Sequence, residues 1–192
     1  FVAINKVTRV VNFAQGTFAV VSGLTAYSLL QIGLPHPLAE LAAIAVSVGV
    51  GLLVGIVAIG RRGTSPLTSL VITLGLAILA YAVELQVWGD QPVSYDGLRG
   101  SWIIGGVFVQ RQYALIVAVS LLTLLALAIF FSRTYLGKGL MACASNPWAA
   151  RLLGINPTRM GYLAFALGGA LGGVAGVLLA PLQPISFDAD IG

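Results

Sequence analysis

The chain has 192 residues, of which 58% are hydrophobic and only 8% charged, with a net charge of +4 and a mean hydropathy of +0.99. Soluble domains carry roughly 25% charged residues, so a water-solvated surface is excluded and lipid is the solvent that fits. The single cysteine, Cys143, excludes an internal disulfide, and the scattered Lys and Arg form no phosphate-tracking run, so no nucleic-acid partner is expected.

Five apolar stretches approach the ~20 residues that a helix needs to cross a hydrocarbon core of about 30 Å. They run from Val10 to Ile32, Leu38 to Ile59, Leu67 to Trp88, Tyr113 to Phe131 and Met160 to Leu182. The runs are continuous rather than alternating, so they read as helices and not as barrel strands. The expected fold is an all-α integral membrane protein, a polytopic transmembrane helix bundle of about five spans forming one domain over 1–192.

Lys6 and Arg9 precede the first stretch, but Asn12 and Gln15 interrupt it early and no small-residue cleavage site follows, so it reads as a span rather than a signal peptide. Unpaired amides cost free energy in hydrocarbon. The interruption at Asn12, Gln15 and Gly16 therefore marks either a water-lined pathway, with Asn12 and Gln15 as its liners, or a helix–helix hydrogen bond. In the second stretch Gly51 and Gly55 form a weak small-residue pair, and Arg61 and Arg62 follow it. The lone His36 lies between two prolines with no second ligand at suitable spacing, so no metal site is expected.

Glu84, about one turn before Trp88, and Glu40 both lie near a span boundary, where a carboxylate is expected to snorkel to the interface. The loop Gly89 to Gln112 opens on a turn composition and ends in two β-prone runs about Gly105-Gly106, which read as a small hairpin. It is either a connector with Trp102 in the headgroup region or a docking surface.

After the fourth stretch, Ser145-Asn146-Pro147 supplies a capping side chain and then proline at a first helical position. A short helix over Trp148 to Leu153, stopped by Gly154, is expected, with Trp148, Leu152 and Leu153 as its apolar face. Such a helix is either a lever gripped by another protein or an element lying on lipid. In the fifth stretch Gly168, Gly172 and Gly176 repeat every four residues, a strip for close helix packing.

Arg133, Lys138, Arg151 and Arg159 join Arg61, Arg62, Lys6 and Arg9 on one side of the membrane if all five stretches cross. Eight of the ten basic residues then share a side, leaving Arg99 and Arg111 opposite, and the positive side is cytoplasmic. No Gly-x-x-x-x-Gly-Lys-Ser/Thr phosphate loop occurs. Lys138 lies in Gly137-Lys138-Gly139 without the hydroxyl residue that would hold magnesium.

The run Ala142-Cys143-Ala144-Ser145-Asn146-Pro147-Trp148-Ala149-Ala150-Arg151-Leu152-Leu153-Gly154-Ile155-Asn156 resembles the cytoplasmic signature of permeases in the branched-chain amino acid ABC importer family. Gly161 to Leu179 is similar to that family's glycine- and alanine-rich helix, and Val11-Asn12-Phe13-Ala14-Gln15-Gly16 to its Asn-Phe-Ala-(His or Gln)-Gly element. Thr17 departs from the acidic residue that many members carry after the motif glycine. The resemblance covers nearly all of the chain but about two-thirds of a member, so truncation at both ends is expected.

The resemblance implies a non-catalytic subunit in a prokaryotic inner membrane, with no cofactor of its own. Its partners would be a second membrane permease subunit, cytoplasmic ATPase subunits carrying ATP and magnesium, and an extracytoplasmic substrate-binding protein. The segment 133–159 would be the cytoplasmic coupling loop, with Ser145 to Gly154 docking on the ATPase and Asn12, Phe13, Gln15 and Gly16 serving the pathway or gate. The implied substrate is a branched-chain or other hydrophobic amino acid, with urea or a short amide as the alternative within the family. An ion-driven secondary transporter would show carboxylates deep in the bilayer, and a membrane enzyme a catalytic set within the spans.

Overall fold

The computed structural model describes residues 12, 14–59, 66–98, 100–104 and 107–185. Its elements are α1 (Gln15–Gln31), α2 (His36–Ile59), α3 (Pro66–Trp88), β1 (Ser101–Ile104), β2 (Val107–Gln110), α4 (Arg111–Arg133), α5 (Tyr135–Ser145), α6 (Pro147–Leu152) and α7 (Pro157–Leu179). Four of the helices, α2, α3, α4 and α7, are long and apolar enough to cross a membrane. The expected start of the first span at Val10 lies outside the described residues. From Gln15, α1 runs for 17 residues, or about 26 Å at 1.5 Å per residue.

The centre of the bundle is α7, which packs on both α1 and α2, and these pack on each other. Burial divides along the long axis. One apolar cluster joins Ala14, just ahead of α1, with Phe18 of α1, Val54 and Ala58 of α2, Phe165 of α7 and the α5–α6 connector. At the opposite end Val20, Leu24, Ala180 and Ile185 form a second cluster, with Trp88 and Val93 against it. Ile59 and the α5–α6 connector thus share one end, with Trp88 and Val93 at the other, the alternation expected of successive crossings.

Helix α3 is polar inside and apolar outside. Ser69, Thr73 and Glu84 are buried, whereas Val71, Leu74, Ile78, Leu79, Val83 and Val87 are exposed. In lipid the exposed side chains lose nothing, and the polar ones gain protein partners by turning inward. Ser69 Oγ does so by donating to the Ala58 carbonyl at 3.1 Å. Helix α4 stands apart, packed on β2 and α5 with its apolar surface uncovered.

The hairpin has the register Trp102↔Val109 and Ile103↔Phe108. It runs directly into α4, closed by the Arg111 amide donating to the Gly100 carbonyl at 3.1 Å, with the Arg111 guanidinium 5.9 Å from the Trp102 ring centre.

Candidate functional site

The connector between α4 and α7 is built from caps. Thr134 separates α4 from α5 alone: its hydroxyl donates to the Phe130 carbonyl at 2.7 Å and accepts from the Gly137 amide at 3.0 Å. A methyl group on Gly137 would collide with the Phe130 carbonyl, which is why glycine occupies this corner. The sequence gives little sign of α5, because Gly137-Lys138-Gly139 reads as loop; the helix forms because Gly137, Gly139, Leu140 and Cys143 are buried along one side.

Asn146 then starts α6, its Oδ1 accepting from the Trp148 and Ala149 amides at 3.0 and 3.1 Å, with Pro147 in the first turn. Gly154, at φ +80°, ends the turn in the left-handed region. Asn156 repeats the device for α7, accepting from the Thr158 and Arg159 amides at 3.0 and 3.4 Å ahead of Pro157.

The result is a short helix rigidly placed with one face empty. Ala150 is buried against Cys143 and Leu140, which anchors the inner side. On the outer side Trp148, Leu152 and Leu153 are 72%, 75% and 78% exposed. Ser145, Ala149 and Arg151 are also exposed, and Pro147 is half-buried. Burial pushes the Cys143 thiol above its ordinary value, with the Arg151 charge acting weakly the other way.

The first motif lies at the foot of α1. Phe13 is outside the described residues, and Gly16 is half-buried. Asn12 is 1% exposed. Its Oδ1 accepts from the Ala14 amide at 3.1 Å, and its Nδ2 donates to Gln15 Oε1 at 3.4 Å. Gln15 Nε2 in turn donates to the Gly168 carbonyl at 3.1 Å, so the amides tie α1 to α7.

That bond is one of a series along α7 that the sequence did not reveal. Ser22 Oγ donates to the Gly173 carbonyl at 2.7 Å, and Ser47 Oγ reaches the Phe18 and Gly169 carbonyls at 2.9 and 2.8 Å. The missing side chains of the glycines leave these carbonyls open to a second donor. The spacing of serines in α1 and α2 carries no signal by itself, because the acceptors are backbone atoms, 29 residues away for Phe18 and more than a hundred for Gly169 and Gly173.

The glycines divide between two neighbours. A methyl group on Gly172 would sit 2.7 Å from Phe18 Cβ, and one on Gly176 would collide with the Ala19 carbonyl, so this strip faces α1. Gly168, also buried, presents the carbonyl that Gln15 reaches. Gly169 and Gly173 face Ser47 of α2, where Gly51 meets the Phe165 carbonyl.

Glu84 corrects an expectation. Rather than snorkelling to the interface, it is 2% exposed and turned inward. The inward polar side of α3 accounts for this, because Trp88, one turn on, is also directed at α1 and donates through Nε1 to Ser28 Oγ at 2.6 Å. Glu40 does stay near the surface, with His36 Nδ1 3.5 Å from its Oε1.

These features define the class: a polytopic helical membrane protein with a glycine-rich central span and a capped, exposed helix at one end. The profile of the family described as "Branched-chain amino acid transport system / permease component" matches residues 2–190, and the chain belongs to that family. The chain is 34% identical to the "High-affinity branched-chain amino acid transport system permease protein LivH" of Salmonella typhimurium, over 62% of this chain and 40% of that one. Identity is 33% to the corresponding permease protein BraD of Pseudomonas aeruginosa, over 88% and 60%. It is 30% to a "Probable branched-chain amino acid transport permease protein LivH" of Methanocaldococcus jannaschii, over 93% and 59%. The chain thus spans roughly half the length of these relatives. No solved structure matches it significantly. Family and helices together make it a multi-pass protein of the inner membrane.

Proposed function

We propose that this chain is the membrane-spanning permease part of an ATP-driven importer, with helices that form the pathway for branched-chain or other hydrophobic amino acids. The observation that carries the reading is α6: a helix of six residues, capped at both ends, buried at Ala150 and bare at Trp148, Leu152 and Leu153. A large aromatic and two leucines on a fixed lever suit a cytoplasmic ATPase subunit, because buried aromatic anchors dominate interface energetics. ATP and magnesium belong to that subunit; the segment 133–159 is the cytoplasmic coupling loop of the one transmembrane domain, and Ser145 to Gly154 is its docking surface.

The same reading assigns Asn12, Phe13, Gln15 and Gly16 to the pathway or gate. The support is a buried, non-helical Asn12 just before α1, hydrogen-bonded to Gln15, which itself donates to α7, since irregular polar backbone at membrane depth belongs beside protein or a water-lined passage. A second permease subunit and an extracytoplasmic binding protein complete the assembly. The names of the relatives support the substrate class.

The test is reconstitution of the permease in liposomes with the ATPase and binding protein encoded beside it. ATP hydrolysis stimulated by leucine, isoleucine or valine, with matching uptake, is expected. Stimulation by urea or acetamide alone would move the substrate within the family, and uptake driven by an ion gradient without ATP would overturn the reading.

A further inference from the structure

The end of the bundle away from α6 is closed by a strap. Residues 93–98 lie between Gly89, at φ +80°, and Gly100, at φ +105°, two glycines in the left-handed region that other residues rarely adopt. Hydrogen-bonded latches hold the strap. Val93 and Ile185 exchange both backbone hydrogen bonds, at 2.8 and 2.7 Å, as a bridge outside the hairpin. The Tyr95 hydroxyl donates to the Val177 carbonyl at 2.8 Å. The buried Gln112 side chain accepts from the Leu98 amide at 3.1 Å and donates to the Leu178 carbonyl at 3.2 Å.

The latches also set a plug. The Ile185 side chain occupies the place where a methyl group on Gly23 would stand, and it packs with Val20, Leu24 and Ala180. Burial, and after it the Glu40 carboxylate, push the Tyr95 hydroxyl well above the ordinary tyrosine range, so it remains a donor.

The two ends of the bundle are held differently. Around Gly169, Gly172 and Gly176 helix backbones touch, a contact that cannot slide without clashes. The strap alternates instead, with Val93 and Tyr95 half-buried against the bundle and Ser94, Asp96 and Leu98 exposed. Directional bonds join it to α7 and the segment after it. A surface segment between two glycine pivots, half of its residues exposed, is the part of a fold that opens first.

We propose that residues 93–98 are an external gate strap, which unlatches from Val177, Leu178 and Ile185 to open the bundle between α1, α3 and α7 and relatches to close it. The proposal rests on the transport function argued above.

Two experiments test it. The first places a reversible bond across the bridge, as Val93→Cys with Ile185→Cys in a Cys143→Ala background. A pair exchanging both backbone bonds has Cα atoms about 5.5 Å apart, within disulfide range. In the assembled transporter, oxidation should cut uptake at least tenfold and a reductant should restore it, while each single-cysteine variant stays active. Undiminished uptake by fully cross-linked protein overturns the strap as a gate.

The second needs no substrate. Ile185→Cys, in the same background, should label slowly with an impermeant maleimide, and adding Tyr95→Phe should raise the rate about fivefold, the loss of one net hydrogen bond. A labelling rate indifferent to Tyr95→Phe overturns the latch. Latch-dependent labelling in a transporter that takes up no amino acid, even when reduced, supports the strap and counts against the functional reading instead.

Discussion

No side chain separates Gly176 from Ala19: a methyl group on the glycine would collide with the Ala19 carbonyl, and α7 meets α1 backbone to backbone. Gly176→Ala should therefore destabilise the bundle by about 1–3 kcal/mol through overpacking, and the larger Gly172→Leu should prevent assembly. Gly75→Ala is the control, because a methyl group there meets nothing within 4 Å. That change should be neutral or slightly stabilising, since alanine favours helix over glycine. Thermal unfolding of the purified protein in detergent distinguishes the three.

Ser47 braces α1 and α7 at once through its hydroxyl. Ser47→Ala should cost about 1 kcal/mol, the order found for side-chain hydrogen bonds inside membrane bundles. Ser47→Val should cost more than Ser47→Ala, because the added methyls would press on Gly173, which already lies against Ser47 Cβ. The order of unfolding midpoints, wild type above alanine above valine, is the check.

If α6 is the lever of an ATPase, Trp148→Ala should release the ATPase or uncouple hydrolysis from uptake. The permease itself should keep its unfolding temperature, because Trp148 is 72% exposed. Asn146→Ala should act more weakly, through loss of a cap worth ~1 kcal/mol. Co-purification of the ATPase with both variants at wild-type levels, with full uptake, would refute the docking assignment.

Thiol chemistry tests both burial and orientation. Cys143 is fully buried with its thiol raised above the ordinary value, so a maleimide should modify it slowly at neutral pH and faster only in alkali. The same shift makes stability fall as pH rises past the ordinary thiol value, because the unfolded chain releases that proton first. In a Cys143→Ala background the exposed Ser145→Cys should label quickly, but only from the cytoplasmic side. Ser94→Cys should label only from outside. Equal labelling of both in oriented vesicles would contradict the topology.

Most of the architecture was legible because its signals are local. The apolar runs, the Asn146-Pro147 and Asn156-Pro157 caps, the Gly154 stop and the β-prone runs around Trp102 and Phe108 each depend on neighbouring residues in the chain, and each appears in the structure. Helix α5 was not legible, because its helicity comes from burial and from the Thr134 cap against two helix-weakening glycines. Glu84 was misplaced because distance from a span end says how deep a carboxylate lies but not which way it faces. The bracing of α7 was hidden for a third reason: its acceptors are main-chain oxygens, which every sequence possesses.

That bracing also fixes an order of events during synthesis. Ser47 finds the Phe18 carbonyl 29 positions away, so α1 and α2 can associate as a hairpin while the ribosome is still making α3. The Gly168 and Gly173 carbonyls arrive 153 and 151 positions after Gln15 and Ser22, the side chains they satisfy. At translation rates of about 5–20 residues per second, that hairpin waits roughly five to twenty-five seconds in the bilayer before α7 reaches these two side chains. The final bracing of the hairpin is therefore a late event, and α7 is the span whose arrival completes it.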